Sequence, residues 1–356
     1  MNACAIKTSI GGQALMEGIM MRGPQRTAMA VRNPQGEIVI EEVPGKATRR
    51  PRICKWPIIR GVFGFIDSMA LGYKCLMRSA EISGLEDLVE ESPKKKNQRQ
   101  AEKSSDQPLC EVDVAKESVA KSDEKNEDEK LPAWVMNVMM VVTVVLAVAI
   151  AFGLFFFLPT ALYELIAKYV AFFKGENSIL NSLWKSVFEG VLKIVLLVGY
   201  MAAISLMKDI RRTFMFHGAE HKTIFCYEAG LELTVENIRA QRRFHPRCGT
   251  SFLILMLLVS IFISFFIDPI SLALAGNTLP AIWRTCVRLL LFPLVMGIGY
   301  ELIKFAGRHD NLLTRIISAP GMWLQRLTVL EPTDDMIECA IEAVTRVIPE
   351  DGSDKL

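Results

Sequence analysis

The sequence predicts a mainly α-helical, multi-pass membrane protein with about four transmembrane helices and a small N-terminal β-containing unit on the cytoplasmic side. Three observations predict it. Charge is sharply segregated: residues 86–131 carry 23 charged side chains, 14 acidic and 9 basic, whereas residues 135–158 carry none. Four stretches approach or reach the ~20 mainly apolar residues that a bilayer core requires. Basic residues crowd one loop: eight fall within 208–250, three within 159–186 and none within 268–280. Cytoplasmic loops carry such an excess, so this pattern places both termini and the 208–250 loop in the cytoplasm.

Residues 1–55 read as the small soluble unit. Ile10–Gly18 is punctuated by glycines, as a tight or irregular backbone path would be. Thr27–Arg32 and Glu37–Val43 are β-prone runs flanking Asn33-Pro-Gln-Gly36, a hairpin signal. Residues 56–85 hold an amphipathic or interfacial helix, because Trp56–Met77 is apolar but interrupted by Arg60, Asp67 and Lys74. Residues 86–131 have too little apolar surface to offset the entropy of ordering and read as a disordered charged linker.

Residues 132–306 form the transmembrane bundle. Val135–Leu158 is the clearest span. Val187–Met207 is the second; its Glu189 and Lys193 lie four apart and are expected to pair near the outer interface. Ser251–Ile267 is the third. Ala281–Phe305 is the fourth, with Arg284 and Arg288 placed to snorkel from its start. Residues 307–356 make a cytoplasmic helical tail, in which Thr333 opens a helix with Ile337, Ile341, Val344 and Ile348 on one face.

Several function classes lack support. The net charge is only +2, which provides no bulk signal for nucleic acid. The eight cysteines are scattered without a CxxC pair, which argues for a reducing compartment rather than a disulfide-stapled secreted domain. There is no GxGxxG, P-loop or GxSxG element. Ile10–Met21 contains Gln13 and Glu17 where a signal peptide needs an unbroken apolar run. No feature sets an oligomeric state.

Chemistry concentrates in the 208–250 loop, which holds three of the four histidines. In a helical Phe216-His-Gly-Ala-Glu-His-Lys222, His217 and His221 stand one turn apart on one face and can converge on a metal ion. His217-x-x-Glu220-His221 also matches the H-x-x-E-H pattern of inverted zinc peptidases, in which Glu220 would be the general base on an activated water. Further on, His245-Pro-Arg-Cys248 adds an imidazole and a thiol. Four ligands would close a structural site; three would leave a position for catalysis. Glu301 is a candidate carboxylate ligand or an orienting residue behind the ligands. The expected cofactor is a divalent metal, zinc first, and the partners are the lipid bilayer and a membrane-associated or peptide substrate. The alternative is a membrane scaffold or assembly factor with a structural His/Cys site. Transport is a third reading, for which Glu189, Lys193 and Glu301 are the candidate charges.

Five motifs carry a resemblance: Gly11–Pro24, Phe216–Thr223, His245–Ser251, Gly299–Lys304 and Ala319–Gln325. Through them the chain resembles the YqhQ-like family of bacterial membrane proteins. The resemblance implies a bacterial plasma-membrane location and a metal-dependent enzyme, and supplies no substrate. It also draws attention to Glu17 and Arg22, which either line the same site as His217 and His221 or belong to a local tight turn.

Overall fold

The computed structural model describes residues 6–43, 51, 54, 56–84, 133–170, 179–277, 279–309 and 311–355. The linker predicted at 86–131 lies outside the described residues. The chain divides into two units, one of Met1–Leu85 with Leu158–Leu356, the other of Glu86–Phe157.

In the first unit, β1 (Gly11–Leu15), β2 (Gly18–Arg22), β3 (Thr27–Arg32) and β4 (Ile38–Val43) form an antiparallel sheet in sequential order. The glycine-punctuated run is thus a tight hairpin. Its two-residue turn puts Glu17 in the left-handed region, at φ 52, at a cost of roughly 1–2 kcal/mol for a residue other than glycine. Glu17 O accepts from Arg32 N at 2.8 Å, and its carboxylate is gripped by Arg212. Gly18 has to be glycine, because a Cβ there would strike the backbone of Ala30 and Val31.

Side chains alternate across a strand, and here both faces are covered. Ile19, Met21, Ala28 and Ala30 pack against Phe216 and Ala219 of α5 (Lys208–Glu228) and Ile337, Ala340 and Val344 of α10 (Asp334–Thr345). Leu15, Met20, Met29 and Val31 pack against Cys75 and Leu71 of α1 (Ile59–Ile82). Thr333 stands at the start of α10 in extended conformation and makes no side-chain cap bond.

Four helical segments are long and apolar enough to cross a membrane: Val141–Tyr169, Ile179–Ile204, Gly249–Ala275 and Ala281–Arg308. The first belongs to α2 (Ala133–Phe152), a π turn at Gly153–Phe157, and α3 (Leu158–Tyr169). The others are α4, α7 and α8, with α6 (Val235–Arg239) between α5 and α7. Pro269 and Pro293 lie inside α7 and α8. α9 (Leu312–Thr328) then packs along α7, where Gly321 sits against Ser251 so closely that a Cβ would collide.

Charged residues of α4 and α8 are drawn into the packing between helices. Glu189 and Lys193 are buried, as are Arg284 and Arg288, and Glu189 pairs with the two arginines across helices. A sequence shows the charge but not the partner on another helix. Glu301 accepts Arg60 Nε at 2.6 Å and so fastens α1 to α8.

α5 approaches the segment after α9 closely: Leu330 N donates to Phe214 O at 3.0 Å, and a Cβ on Gly218 would run into Leu330 O. Gly218→Ala is therefore expected to lower the thermal unfolding midpoint of the detergent-purified protein, at a cost of about 1–3 kcal/mol from overpacking. Gly11→Ala, whose Cβ meets nothing within 4 Å, should leave it nearly unchanged. Equal effects of the two variants would contradict this packing.

Candidate metal centre

α5 carries His217, Glu220 and His221 on one face, since positions three and four apart stack along a helix. Cys248 comes from the residue before α7, where it is the N-cap and its Sγ accepts from Thr250 N at 3.4 Å. One ligand atom each from His217, His221 and Cys248 lie within 4.8 Å of one another.

The orientation of the two imidazoles is set from behind. His217 Nδ1–H donates to Thr328 O at 2.9 Å, and His221 Nδ1–H donates to Arg243 O at 2.6 Å. A carbonyl can only accept, so each Nδ1 carries a proton and Nε2 is the atom that each imidazole turns toward a metal position. Ligating histidines are held this way by a second hydrogen bond. His217 Nε2 lies 3.0 Å from Cys248 Sγ. His221 Nε2 is buried and has no hydrogen-bond partner among the described residues. An orphaned buried nitrogen is costly unless something occupies it.

Burial opposes ionisation of the Cys248 thiol, but the His217 and His221 rings outweigh burial and hold it well below its ordinary value. Thiolate is the form that binds a metal. Burial raises the Glu220 carboxyl against the pull of the two histidines, and Gly12 N–H donates to it. Gly12 is glycine for space as well: a Cβ would lie 2.9 Å from Glu220 Cγ.

The other residues singled out from the sequence are placed elsewhere. His245 is turned away from the trio. Its Nδ1 accepts Arg247 N–H at 3.2 Å, its Nε2 faces Glu228 Oε2 at 3.8 Å, and its ring lies on Phe225. Burial, the first cause, pushes it down to about 4, so it is neutral. Glu17 is held by Arg212 at the β1–β2 turn, Arg22 ends β2 exposed, and Glu301 is engaged by Arg60. None of the three joins the trio. Sequence reasoning missed Gly12, the carbonyls of Thr328 and Arg243, and Gln325. The last accepts His245 N at 2.9 Å and donates to His245 O and Ser251 Oγ, clamping the turn that presents Cys248. Backbone carbonyls leave no side-chain signal; Gln325 stood within the Ala319–Gln325 motif without a role.

The fold and the site define a helical protein with four membrane-length helices and a possible His/Cys metal-binding triad beside the start of one of them. Residues 56–350 match the family described as "Protein of unknown function (DUF1385)", and the chain belongs to that family. It is 30% identical over 347 residues to "Uncharacterized protein YqhQ" of Bacillus subtilis (strain 168), covering 96% of this chain and 93% of that protein. No solved structure matches.

Glu228 ties the site to the N-terminal segment, accepting Thr8 N at 3.0 Å and pairing with Arg247. Burial pushes its carboxyl up, but His245, Arg247 and Thr8 N–H outweigh this and hold it at about 2, against an ordinary 4.5. A depressed carboxylate contributes stability above its unfolded value and loses it as pH falls through the folded one. Wild-type stability should therefore decline by about 2–3 kcal/mol between about pH 4.5 and about pH 2 on this group's account. Glu228→Gln should melt lower at pH 7 and show a shallower decline in that window, read by thermal unfolding across pH. An unchanged pH dependence would contradict the assignment.

Proposed function

We propose that this is an integral protein of the bacterial plasma membrane, with both termini in the cytoplasm, that hydrolyses a membrane-associated or peptide substrate at a divalent-metal centre. His217, His221 and Cys248 would hold the ion, and Glu220 would be the general base. The observation that carries the reading is the convergence of two carbonyl-oriented imidazoles and a thiolate beside a buried carboxyl. The residues fit the ion: two nitrogens and one sulfur suit zinc, and three protein ligands leave a position open. When bound, zinc supplies Lewis acidity.

The chain's own groups do the rest. Burial raises the proton affinity of Glu220, so it is suited to take a proton from the attacking water and return it to the leaving group. Gly12 N–H fixes the carboxylate against β1. The carbonyls of Thr328 and Arg243 keep both imidazoles in the ligating tautomer.

A second reading is a structural staple in a membrane scaffold or assembly factor. What favours it is burial: His221 is 1% exposed, and Cys248 and Glu220 are 6% exposed. The trio also binds α5, the start of α7 and the end of α9 together.

Glu220 separates the two. Glu220→Gln should keep the metal content and melting midpoint of wild type, measured by mass spectrometry and thermal unfolding. It should lower turnover of peptide and lipid-ester libraries by at least 100-fold, roughly the scale of a general base. Wild-type protein that is metal-loaded yet inactive on both libraries would support the staple. Loss of metal in Glu220→Gln would contradict the base role.

A further inference from the structure

α9 has two faces of different kinds. Thr314, Ser318, Gly321, Gln325 and Thr328 recur at spacings of three and four and are buried, so they form the face that packs on the bundle. Gln325 and Thr328 on this face clamp the turn that presents Cys248 and orient His217. On the opposite side, Leu312, Ile316 and Trp323 share a second face, with Leu313 beside them. They are 75%, 60%, 71% and 54% exposed, in that order. A surface helix of a globular protein carries polar residues there. Arg326 flanks the apolar stripe and holds its guanidinium over the Trp323 ring, 5.2 Å from the centroid.

The place of α9 in the fold says what covers this stripe. α4 and α7 run antiparallel, since a Cβ on Gly190 would meet Ile261 and Ser186 Oγ donates to Ser264 O. α7 and α8 do too: Gly299 lies against Met256, and Gly307 lies against Arg247, just before α7. The end of α4, the start of α7 and the end of α8 are therefore on one side. α9 is tied to that side twice. It begins after a three-residue link from α8, which reaches at most about 14 Å. Its Gly321 then sits against Ser251, the third residue of α7. If these helices span a bilayer, α9 lies at the boundary of its apolar layer.

The surroundings continue the pattern. The turn from α4 to α5 is on the same side and exposes Leu206 and Met207. The two segments that build this boundary, 205–211 and 304–328, carry six basic residues against two acidic. Apolar side chains edged by tryptophan and arginine suit the headgroup level of a membrane. A basic excess suits an anionic leaflet.

We propose that the outward face of α9 is seated in a leaflet of anionic phospholipid. Leu312, Ile316 and Trp323 enter the upper acyl region, and Arg326 stays with the headgroups. The proposal rests on the membrane-spanning reading given under the proposed function. It adds a substrate class to that reading. The metal centre is held by the inner face of the same helix, about one helix diameter, ~10 Å, from the lipid. Substrates carried in that leaflet are therefore within its reach.

The test uses the full-length protein with 5-fluorotryptophan in nanodiscs of phosphatidylcholine and phosphatidylglycerol. The chain has five tryptophans; the fluorine signals of Trp323 and Trp283 are assigned with Trp323→Phe and Trp283→Phe. Trp283 is exposed near the start of α8 and is the reference for a span. Phosphatidylglycerol with a nitroxide on carbon 5 of its acyl chain should broaden the Trp323 signal roughly twofold or more. A water-soluble gadolinium chelate should leave it sharp, and the same nitroxide on phosphatidylcholine should broaden it less. Trp283 broadened by the lipid label, with Trp323 broadened only by the chelate, would overturn the seating of α9 and leave the spans standing. A Trp323 signal that neither agent reaches would place a protein surface over the stripe and overturn the proposal as well. If neither tryptophan senses the lipid label, the spans fail and the proposal fails with them. Equal broadening by the two labelled lipids would overturn the anionic partner. Each readout is taken on tryptophans outside the metal centre and needs no turnover.

Discussion

Close approach of α5 to the chain leaving α9 is the constraint on which the site depends. Gly218 permits it, and the Leu330 N–H bond to Phe214 O holds it. Only with the backbones this near can Thr328 O reach His217 Nδ1. That bond turns Nε2 toward Cys248, which α7 presents at its N-terminus. The sheet completes the enclosure from the other side, because Gly12 has no side chain to keep β1 away from Glu220. The sheet and a membrane-length helix are joined at the same few atoms.

Polar groups in this protein are consistently committed to partners on other elements. Gln325 clamps the 245–251 turn, Glu228 joins the N-terminal segment to Arg247, and Glu301 fastens α1. Among the described residues the buried side-chain atoms without a hydrogen-bond partner are Arg32 Nε, His221 Nε2, Asp268 Oδ1, Asp354 Oδ1 and the Nε and Nη1 donors of Arg284 and Arg288. Buried polar groups are normally satisfied, and of these atoms His221 Nε2 is the one that converges with other metal-ligating atoms. That nitrogen, beside Cys248 Sγ, suits a metal cation.

Much of the fold was legible in the chain. Uncharged stretches such as Val135–Leu158 mark bilayer-length helices because backbone polar groups in lipid must be satisfied within the helix. Thr27–Arg32 and Glu37–Val43 were legible as paired strands because a turn signal separates them. The β1–β2 hairpin was not, since its glycines mask strand alternation. In the site, His217 and His221 were legible as a pair from helical spacing alone. The choice between His245 and Cys248 was not, because the turn between them decides which points at α5, and Gln325 sets that turn from 80 residues away. The pairing of Glu189 with Arg284 and Arg288 was not legible, because a linear pattern does not show partners on other helices.

The central claim is the ligand set, and zinc K-edge X-ray absorption on metal-loaded wild-type protein reads it directly. The account predicts one sulfur at about 2.3 Å and two imidazole nitrogens at about 2.0–2.1 Å. A shell without sulfur, a shell with a third imidazole, or a folded protein that retains no zinc after loading would contradict it.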